Sequence, residues 1–492
     1  MTVALSLLLV PATATAAKPK RTVPGEIERR AADGGITQAA ASSYRAVYRD
    51  AQRSVRRLQG ARRNELRAVI ATLDAVAAAG NLRNGRMPLA FLTLQRNREW
   101  WTTSSLLSYG QRVTFRGSSM IWQSYPGQGI QVQWLATFGK ANALMSGGRK
   151  AYDPQLRRLL EETTALAAPR AGGIAWESWF TFNGGRPPWV SALSQGTALQ
   201  AYSRAAVHLH RPSLFDVART ALGIFRAAPP KGVRVGTDAG AHQLIYSFAP
   251  KLLVLNGFAQ AVNGLHDFAV LSRDEEGQRI FREAEAQLRV AVPRFDTGAW
   301  SLYSLAPRES DLGYHTLLRD FLKGTCDRTT ADRVRAAKRQ TTVGEDTTVV
   351  GDALTGGAAP GQVTVPVVDP ATLPDPAIYC DTVARFTQFL KTPPVVKLTA
   401  KSRPAKPRAK RRLTLRYTLS KVSTVTTRVT RSGRTVAGRT QRLEGGKRTL
   451  RFTPKQAGRY AVSITAVDLA GNAGQASGSV TVGRRLLTSA AR

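Results

Sequence analysis

The stretch RFDTGAWSLYSL at 294–305 brings Phe295, Trp300 and Tyr303 into one short segment, and Tyr314 and His315 follow closely. Aromatic residues make up only 7% of the chain, so this concentration needs a reason. One reading is core packing, the commoner fate of a tyrosine in a helical protein. The other is a carbohydrate site walled by Phe295 and Trp300, in which a tyrosine handles a proton. Carboxylates are the next residue type with chemistry to offer. Glu177, Asp238, Asp267, Asp296 and Asp311 fall in or beside loops, and a suitably spaced pair would serve glycoside hydrolysis. Asp296, in an Asp-Thr-Gly turn, also has the make-up of a plain turn former. No glycine-rich loop stands between a strand and a helix, which argues against a nucleotide cofactor, and no G-x-S-x-G nucleophile turn stands out. His208, His210, His242, His266 and His315 are scattered, and no Cys/His spacing suits zinc. Neither a metal nor a cofactor is expected.

These residues must be positioned by helices. Across 38–80, Tyr44, Val47, Val55, Leu58, Leu66, Ile70 and Leu73 recur at helical spacing, and Gly60 breaks the run into a hairpin. A strand-and-turn segment around Tyr125-Pro126-Gly127 follows, then a helix over 151–170. From there apolar helices alternate with Gly/Pro/Trp-rich loops. The helices fall at 190–208, 212–227, 252–269, 274–292, 312–323 and 377–391, and the loops at 183–189, 237–250 and 295–300 carry the unusual residues. This rhythm predicts a mainly α fold, an α/α toroid or incomplete helical-hairpin barrel over 151–392, preceded by a helical region at 38–150. A Gly/Thr/Val/Pro-rich insertion at 327–376 interrupts it. A basic linker at 393–412 leads into 395–483, where period-two alternation in LTLRYTL, TVTTRVT and RYAVSITAVD predicts a small all-β sandwich of about seven strands. AGRYAVSITAVDLAGNAG resembles the last hairpin of bacterial immunoglobulin-like and fibronectin-like domains.

The 492 residues suggest two or three domains. The formal charge is +38, and roughly a third of the 71 Lys and Arg lie in the last hundred residues. Such a balance calls for polyanionic company. The start, MTVALSLLLVPATATAAKPK, has an apolar run followed by A-x-A spacing, as in a signal peptide ending near residue 17. The expected localisation is secreted or cell-surface in a bacterium, with membrane attachment only through an uncleaved N-terminus. Nucleic acid is then not an expected partner. An acidic polysaccharide is, with an anionic cell-wall polymer as a further partner for the basic C-terminal domain. Export also favours a disulfide between Cys326 and Cys380, the two cysteines of the chain.

Four ordered blocks carry a family resemblance: WFTFNGGRPPWVSALSQGTALQAYSRA (179–205), YSFAPKLLVLNGFAQAVNGLHDF (246–268), RFDTGAWSLYSL (294–305) and GYHTLLRDFL (313–322). From about Ile174 to Leu322, and again weakly at 377–391, the chain resembles the C-terminal catalytic domain of D-glucuronyl C5-epimerases. These enzymes convert glucuronic to iduronic acid within heparan-type chains. The resemblance implies catalytic tyrosines at Tyr246, Tyr303 and Tyr314. It also implies a glutamate immediately before the first, where this chain has Ile245. Proton loss from C5, α to a carboxylate, leaves an enediolate-like species, so the site needs cations or strong donors at the carboxylate and proton handlers on both ring faces. Arg186, Arg204, Lys251 and Arg308 are the candidate cations. Gln195 and Asn256 are candidates for sugar hydroxyls, Trp179, Trp189 and Trp300 for stacking on pyranose faces, and His315 for a supporting hydrogen bond. Three functions stay open: an exported C5-epimerase acting on a uronate polymer, a lyase or hydrolase on the same scaffold, and a non-catalytic surface glycan-binding protein. The family's own N-terminal β-domains are absent or reduced here, so its dimerisation and metal binding do not carry over.

Overall fold

The computed structural model describes residues 21–148, 150–306, 308–345 and 369–484. The expected signal peptide and residues 346–368 of the expected insertion lie outside them. The N-terminal part holds α1 (Val23–Ala32), α2 (Gln38–Arg57), α3 (Gly60–Ala78), α4 (Met87–Thr103), a three-stranded sheet of β1 (Arg112–Val113), β2 (Trp122–Tyr125) and β3 (Gly129–Val132), then α5 (Trp134–Leu144) and α6 (Asp153–Ala165). Thr37 caps α2 by accepting from the Ala40 amide, and Gly60, at φ +57°, turns the chain into α3. The β2–β3 hairpin is pinned to the helices beneath it. Glu65 of α3 accepts from the Gly127 and Gly129 amides, and Asn97 of α4 bonds both the amide and the carbonyl of Ile130 at 2.7 Å.

The central part holds β4 (Ala168–Arg170), β5 (Gly173–Ala175), α7 (Ala192–His208), α8 (Ser213–Thr220), α9 (Gly223–Arg226), β6 (Arg234–Thr237), β7 (Gly240–Gln243), α10 (Leu255–Ser272), α11 (Glu275–Ala291), β8 (Leu302–Ser304), β9 (Arg308–Glu309), α12 (Leu312–Glu345) and α13 (Ala377–Phe389). The helix expected at 312–323 runs on through 327–345, because DRTTADRVRAAKRQTTV contains no glycine or proline to stop it. A disulfide joins Cys326 of α12 to Cys380 of α13. Among the described residues no helix is long and apolar enough to cross a membrane.

Helices α7, α10 and α12 lie side by side and run in the same direction. Gly196 of α7 meets Gly264 of α10 backbone to backbone. A Cβ on Gly264 would stand 1.9 Å from the Gly196 carbonyl oxygen, so only glycine permits this approach. Further along, Arg204 of α7 and Arg328 of α12 both bond Asp267 of α10. Burial alone would raise the Asp267 carboxyl, but His266, Arg328 and Arg204 outweigh it and hold the group well below the usual carboxylate range. Since the three helices are parallel, the loops that precede them meet at one end.

The C-terminal part is β-rich. Seven strands are described: β10 (Val396–Arg403), β11 (Leu413–Leu419), β12 (Ser423–Arg431), β13 (Arg434–Leu443), β14 (Gly446–Phe452), β15 (Gly458–Asp468) and β16 (Ala473–Val482). They form two antiparallel sheets, ordered β10-β11-β14 and β13-β12-β15-β16, over a shared core that includes Leu413, Leu415, Tyr417, Val425, Tyr460 and Ile464. Strand β10 occupies much of the stretch read as a basic linker. This part sits directly against the helices. Lys421, 1% exposed, donates to the carbonyls of Phe389 and Thr392 at the end of α13, pairs with Asp468 at 2.6 Å and lies 5.2 Å from the Trp300 ring.

Candidate active site

The loops before α7, α10 and α12 are knitted together by backbone hydrogen bonds. The Ser247 amide donates to the Val190 carbonyl at 2.9 Å and the Ala192 amide to the Leu244 carbonyl at 3.0 Å, joining the first two loops. Ser304 of β8 bridges to Val254, and the Leu305 amide donates to the Leu253 carbonyl, joining the second to the third. Tyr246, Tyr303 and Tyr314 stand on these second and third loops and on the first turn of α12. The fold brings all three together. Tyr303 and Tyr314 have ring centroids 4.7 Å apart, and Tyr246 lies near enough for Tyr303 and Tyr314 to perturb its phenol.

Burial raises the Tyr246 phenol far above its ordinary range, and the neighbouring Tyr303 and Tyr314 raise it further. Tyr314 is raised by burial first, then by Tyr303 and Asp311. Both stay protonated at neutral pH. Arg308 lies over the Tyr303 ring, 5.8 Å from its centroid. Among the described residues Arg308, Arg186 and Lys251 are exposed cations without a carboxylate partner, which leaves them free for an anionic ligand.

An aromatic floor extends from the tyrosines. Tyr246 stacks on Phe248 at 5.2 Å and meets Trp189 edge-on at 5.6 Å. Trp189 contacts Phe180, which stacks on Tyr125 at 4.4 Å. Tyr109 stands edge-on to Tyr125 and electrostatically raises both Tyr246 and Tyr314. It is a fourth tyrosine of the cluster, 70% exposed, held by the Gly110 amide bonding to the Ser124 carbonyl of β2. The sequence reading passed over it, since a lone Tyr in Ser-Tyr-Gly has no periodicity and its contacts are distant in the chain. Tyr125-Pro126-Gly127 was the visible hint that this hairpin approaches the site.

Several candidates sit elsewhere. Trp300 and Phe295 are fully buried rather than walling a cleft; the Trp300 indole donates to the Ser310 carbonyl and stacks on His315 at 3.9 Å. His315 is likewise buried. Its Nε2 donates to the Phe386 carbonyl, so Nδ1 must accept from Ser301 Oγ, and burial pushes its pKa down to about 4. It fixes the loop as a neutral ring. Gln195 is buried and bonds both the amide and carbonyl of Trp176. Trp179 lies in the helical core. Arg204 stands about three turns down α7, paired with Asp267 at 2.8 Å. The Asn256 oxygen accepts from the Gly257 amide in the first turn of α10.

Of the carboxylates, Asp238 is exposed in the β6–β7 turn and the others are occupied. Glu177 is clamped by Arg86 and Arg170, Asp296 by Arg385 and the Gly298 amide, and Asp311 caps α12 through the Tyr314 amide. Ile245, 4% exposed, packs its side chain against Gly257. A surface cavity of about 400 Å³ beside α6 and α8, lined by Arg157, Leu160, Arg211 and Leu214, contains none of the tyrosines.

The segment that carries this cluster matches the family model described as D-glucuronyl C5-epimerase C-terminus, over residues 172–340. This segment resembles that family, and it takes in α7 to α11, most of α12 and all three tyrosines. A D-glucuronyl C5-epimerase of Caenorhabditis elegans is 26% identical over 151 residues, 27% of this chain and 24% of the relative. The chain therefore spans about a quarter of that relative's length. Two solved structures show distant likeness. A sugar epimerase from a ruminal bacterium is 11% identical, covering 40% of this chain and 58% of its own, at a TM-score of 0.26. An unsaturated glucuronyl hydrolase specific for heparin is 13% identical, covering 71% and 83%, at 0.33. At these scores neither bears on the chemistry of the matched segment.

Proposed function

We propose that this protein is an exported C5-epimerase-like enzyme acting on uronic acid residues of a polysaccharide. The observation that supports this reading is the convergence of Tyr246, Tyr303 and Tyr314 beside the unpaired Arg308, all within the family-matched segment. Arg308, with Arg186 and Lys251 on the same loops, neutralises the substrate carboxylate as charge moves onto it. Tyr303, beside the Arg308 guanidinium, acts as the base that takes the C5 proton. The C5–H electron pair passes to the carboxylate as an enediolate. Reprotonation by a second, neutral tyrosine, Tyr246 or Tyr314, on the opposite ring face inverts C5, and proton exchange with solvent restores both phenols. The aromatic surface for the sugar ring is Tyr246 with Phe182, a half-buried ring 5.4 Å from it, both backed by the buried Trp189. We read the helical part as an α/α toroid and the β-rich part as immunoglobulin-like; for the latter, Tyr460 donates back to the Gln456 carbonyl at the start of β15, a corner typical of such sandwiches.

The test is incubation with a glucuronate-containing polysaccharide in deuterated water, read by NMR. Deuterium at C5 with retained chain length is expected. Unsaturated uronate absorbing in the ultraviolet would instead identify a lyase. A second reading, glycan binding without turnover, is favoured by Ile245 at the position of the family glutamate. It predicts no deuterium uptake and unchanged affinity in Tyr314→Phe.

A further inference from the structure

The register of the three-stranded sheet fixes which side chains face outward. Leu413, Leu415, Tyr417 and Leu419 of β11 point into the core. Thr414, Arg416 and Thr418 therefore point out, since successive side chains alternate. Directly opposite residues of antiparallel strands share a face. Thr418 pairs with Lys397 and Lys447, Arg416 with Thr399 and Thr449, and Thr414 with Arg403 and Arg451. The outward face is thus five cations, Lys397, Arg403, Arg416, Lys447 and Arg451, interleaved with four threonines. Among the described side chains no acid and no apolar group stands on it. None of the five cations has an ion pair or hydrogen-bond partner among the described residues. The contrast with the helical part is sharp, because Arg86, Arg170, Arg204, Arg219 and Arg328 there are all matched with carboxylates. The other sheet differs too. Its outward Arg428, Arg442 and Arg459 stand apart among Thr, Ser, Ala, Gly, Gln475 and the exposed Val467.

We infer that the outward face of β10-β11-β14 is a docking surface for an anionic polysaccharide chain, the same uronate polymer that the tyrosine site takes. The choice of polymer rests on the uronate reading of that site. Three observations support this occupant. Charge complementarity calls for a polyanion. A face of cations and hydroxyls offers no apolar wedge to a membrane and no ring on which a nucleic acid base would stack. Finally, the face is continuous with the site. Its Lys397–Thr418–Lys447 row lies at the end of the sheet that abuts the helices, where the Gly445 amide donates to Glu309, the residue after Arg308, at 2.6 Å. A polymer leaving Arg308 therefore meets Lys447 first, then Arg416 and Arg451.

The test compares the full chain with two triple variants that remove equal charge from exposed positions: Arg416→Ser/Lys447→Ser/Arg451→Ser on this face, and Arg428→Ser/Arg442→Ser/Arg459→Ser on the other. Melting temperatures confirm that both fold. Binding is measured to an unsulfated glucuronate polysaccharide over a salt series and to phosphatidylglycerol vesicles. C5 deuterium uptake is measured separately on a short uronate oligosaccharide. The first variant should bind the long polymer at least about tenfold more weakly, with a flatter salt dependence, while the second stays within about twofold. Uptake on the short oligosaccharide should match the parent in both. Equal losses in the two variants, an unchanged first variant, or tighter binding to vesicles than to polysaccharide would each overturn the inference. Because binding is read without turnover, absent deuterium uptake in the parent would refute the epimerase reading and leave the docking result to be judged on its own.

Discussion

Lys421→Met tests whether the β-rich part is fastened to the helices by one buried cation. Lys421 is 1% exposed, and the Asp468 carboxylate it meets has a fully buried side chain. Its ammonium also satisfies the carbonyls of Phe389 and Thr392. Methionine keeps most of the volume but strands a buried carboxylate, and losing one partner of such a pair costs about 3–5 kcal/mol. Asp468 gives the pH signature. Burial alone would raise it, but Lys421 and Asn472 hold it below its ordinary value. It therefore contributes stability that is present above its unfolded pKa and lost as pH falls through its folded pKa. In the variant that contribution is already gone, so the gap to the parent should narrow as the pH is lowered. Calorimetry from pH 7 down to about 2.5, through and below the ordinary aspartate value, measures the gap, and hydrogen exchange over 387–393 and 460–472 locates it. Adding Asp468→Asn should recover a good part of the loss, because no stranded charge remains while Ala470 and Asn472 keep their acceptor. A loss under about 1 kcal/mol at pH 7, or exchange unchanged at the end of α13, would refute the fastening.

Tyr303→Phe should lower C5 exchange by about 100-fold or more with glycan affinity nearly unchanged, as measured by NMR and by binding to the same substrate. His242 and His315 should make the protein acid-sensitive. Both are buried and pushed down to about 4, so as pH falls from about 6.5 toward 4 the unfolded chain takes up protons that the native state refuses. Urea midpoints should drop across that window, by up to about 3 kcal/mol per histidine, and His242→Phe should remove part of the slope. Gly264→Ala should cost about 3 kcal/mol or more in thermal unfolding, since its Cβ would fall 1.9 Å from the Gly196 carbonyl and part α7 from α10.

What could be read in the sequence was what is local or periodic. The helices of the central part follow from apolar spacing, and the strands of the β-rich part from strict alternation, as in Leu413, Leu415, Tyr417 and Leu419. The three loop tyrosines were legible because each sits in its own recognisable block. Tyr109 was not, because its place beside Tyr125 depends on a hairpin pinned by Glu65 and Asn97 from distant helices. Trp300 and Gln195 were misplaced for a related reason. Residue type suggests what a side chain can do, but only packing decides whether it faces a ligand or, like Trp300 on His315, another ring. The docked Lys421 was hidden among many lysines and arginines, and nothing in its immediate neighbours marks it as buried.

The Cys326–Cys380 link has a consequence for how the chain can be divided. It closes residues 326–380 into a covalent ring, with the loop tyrosines on the N-terminal side and the whole β-rich part on the C-terminal side. A single protease cut within that ring would yield two chains by reducing electrophoresis and one by non-reducing electrophoresis. Whatever the length of chain carried inside the ring, the tyrosines and the cationic sheet stay on one covalent body after such a cut.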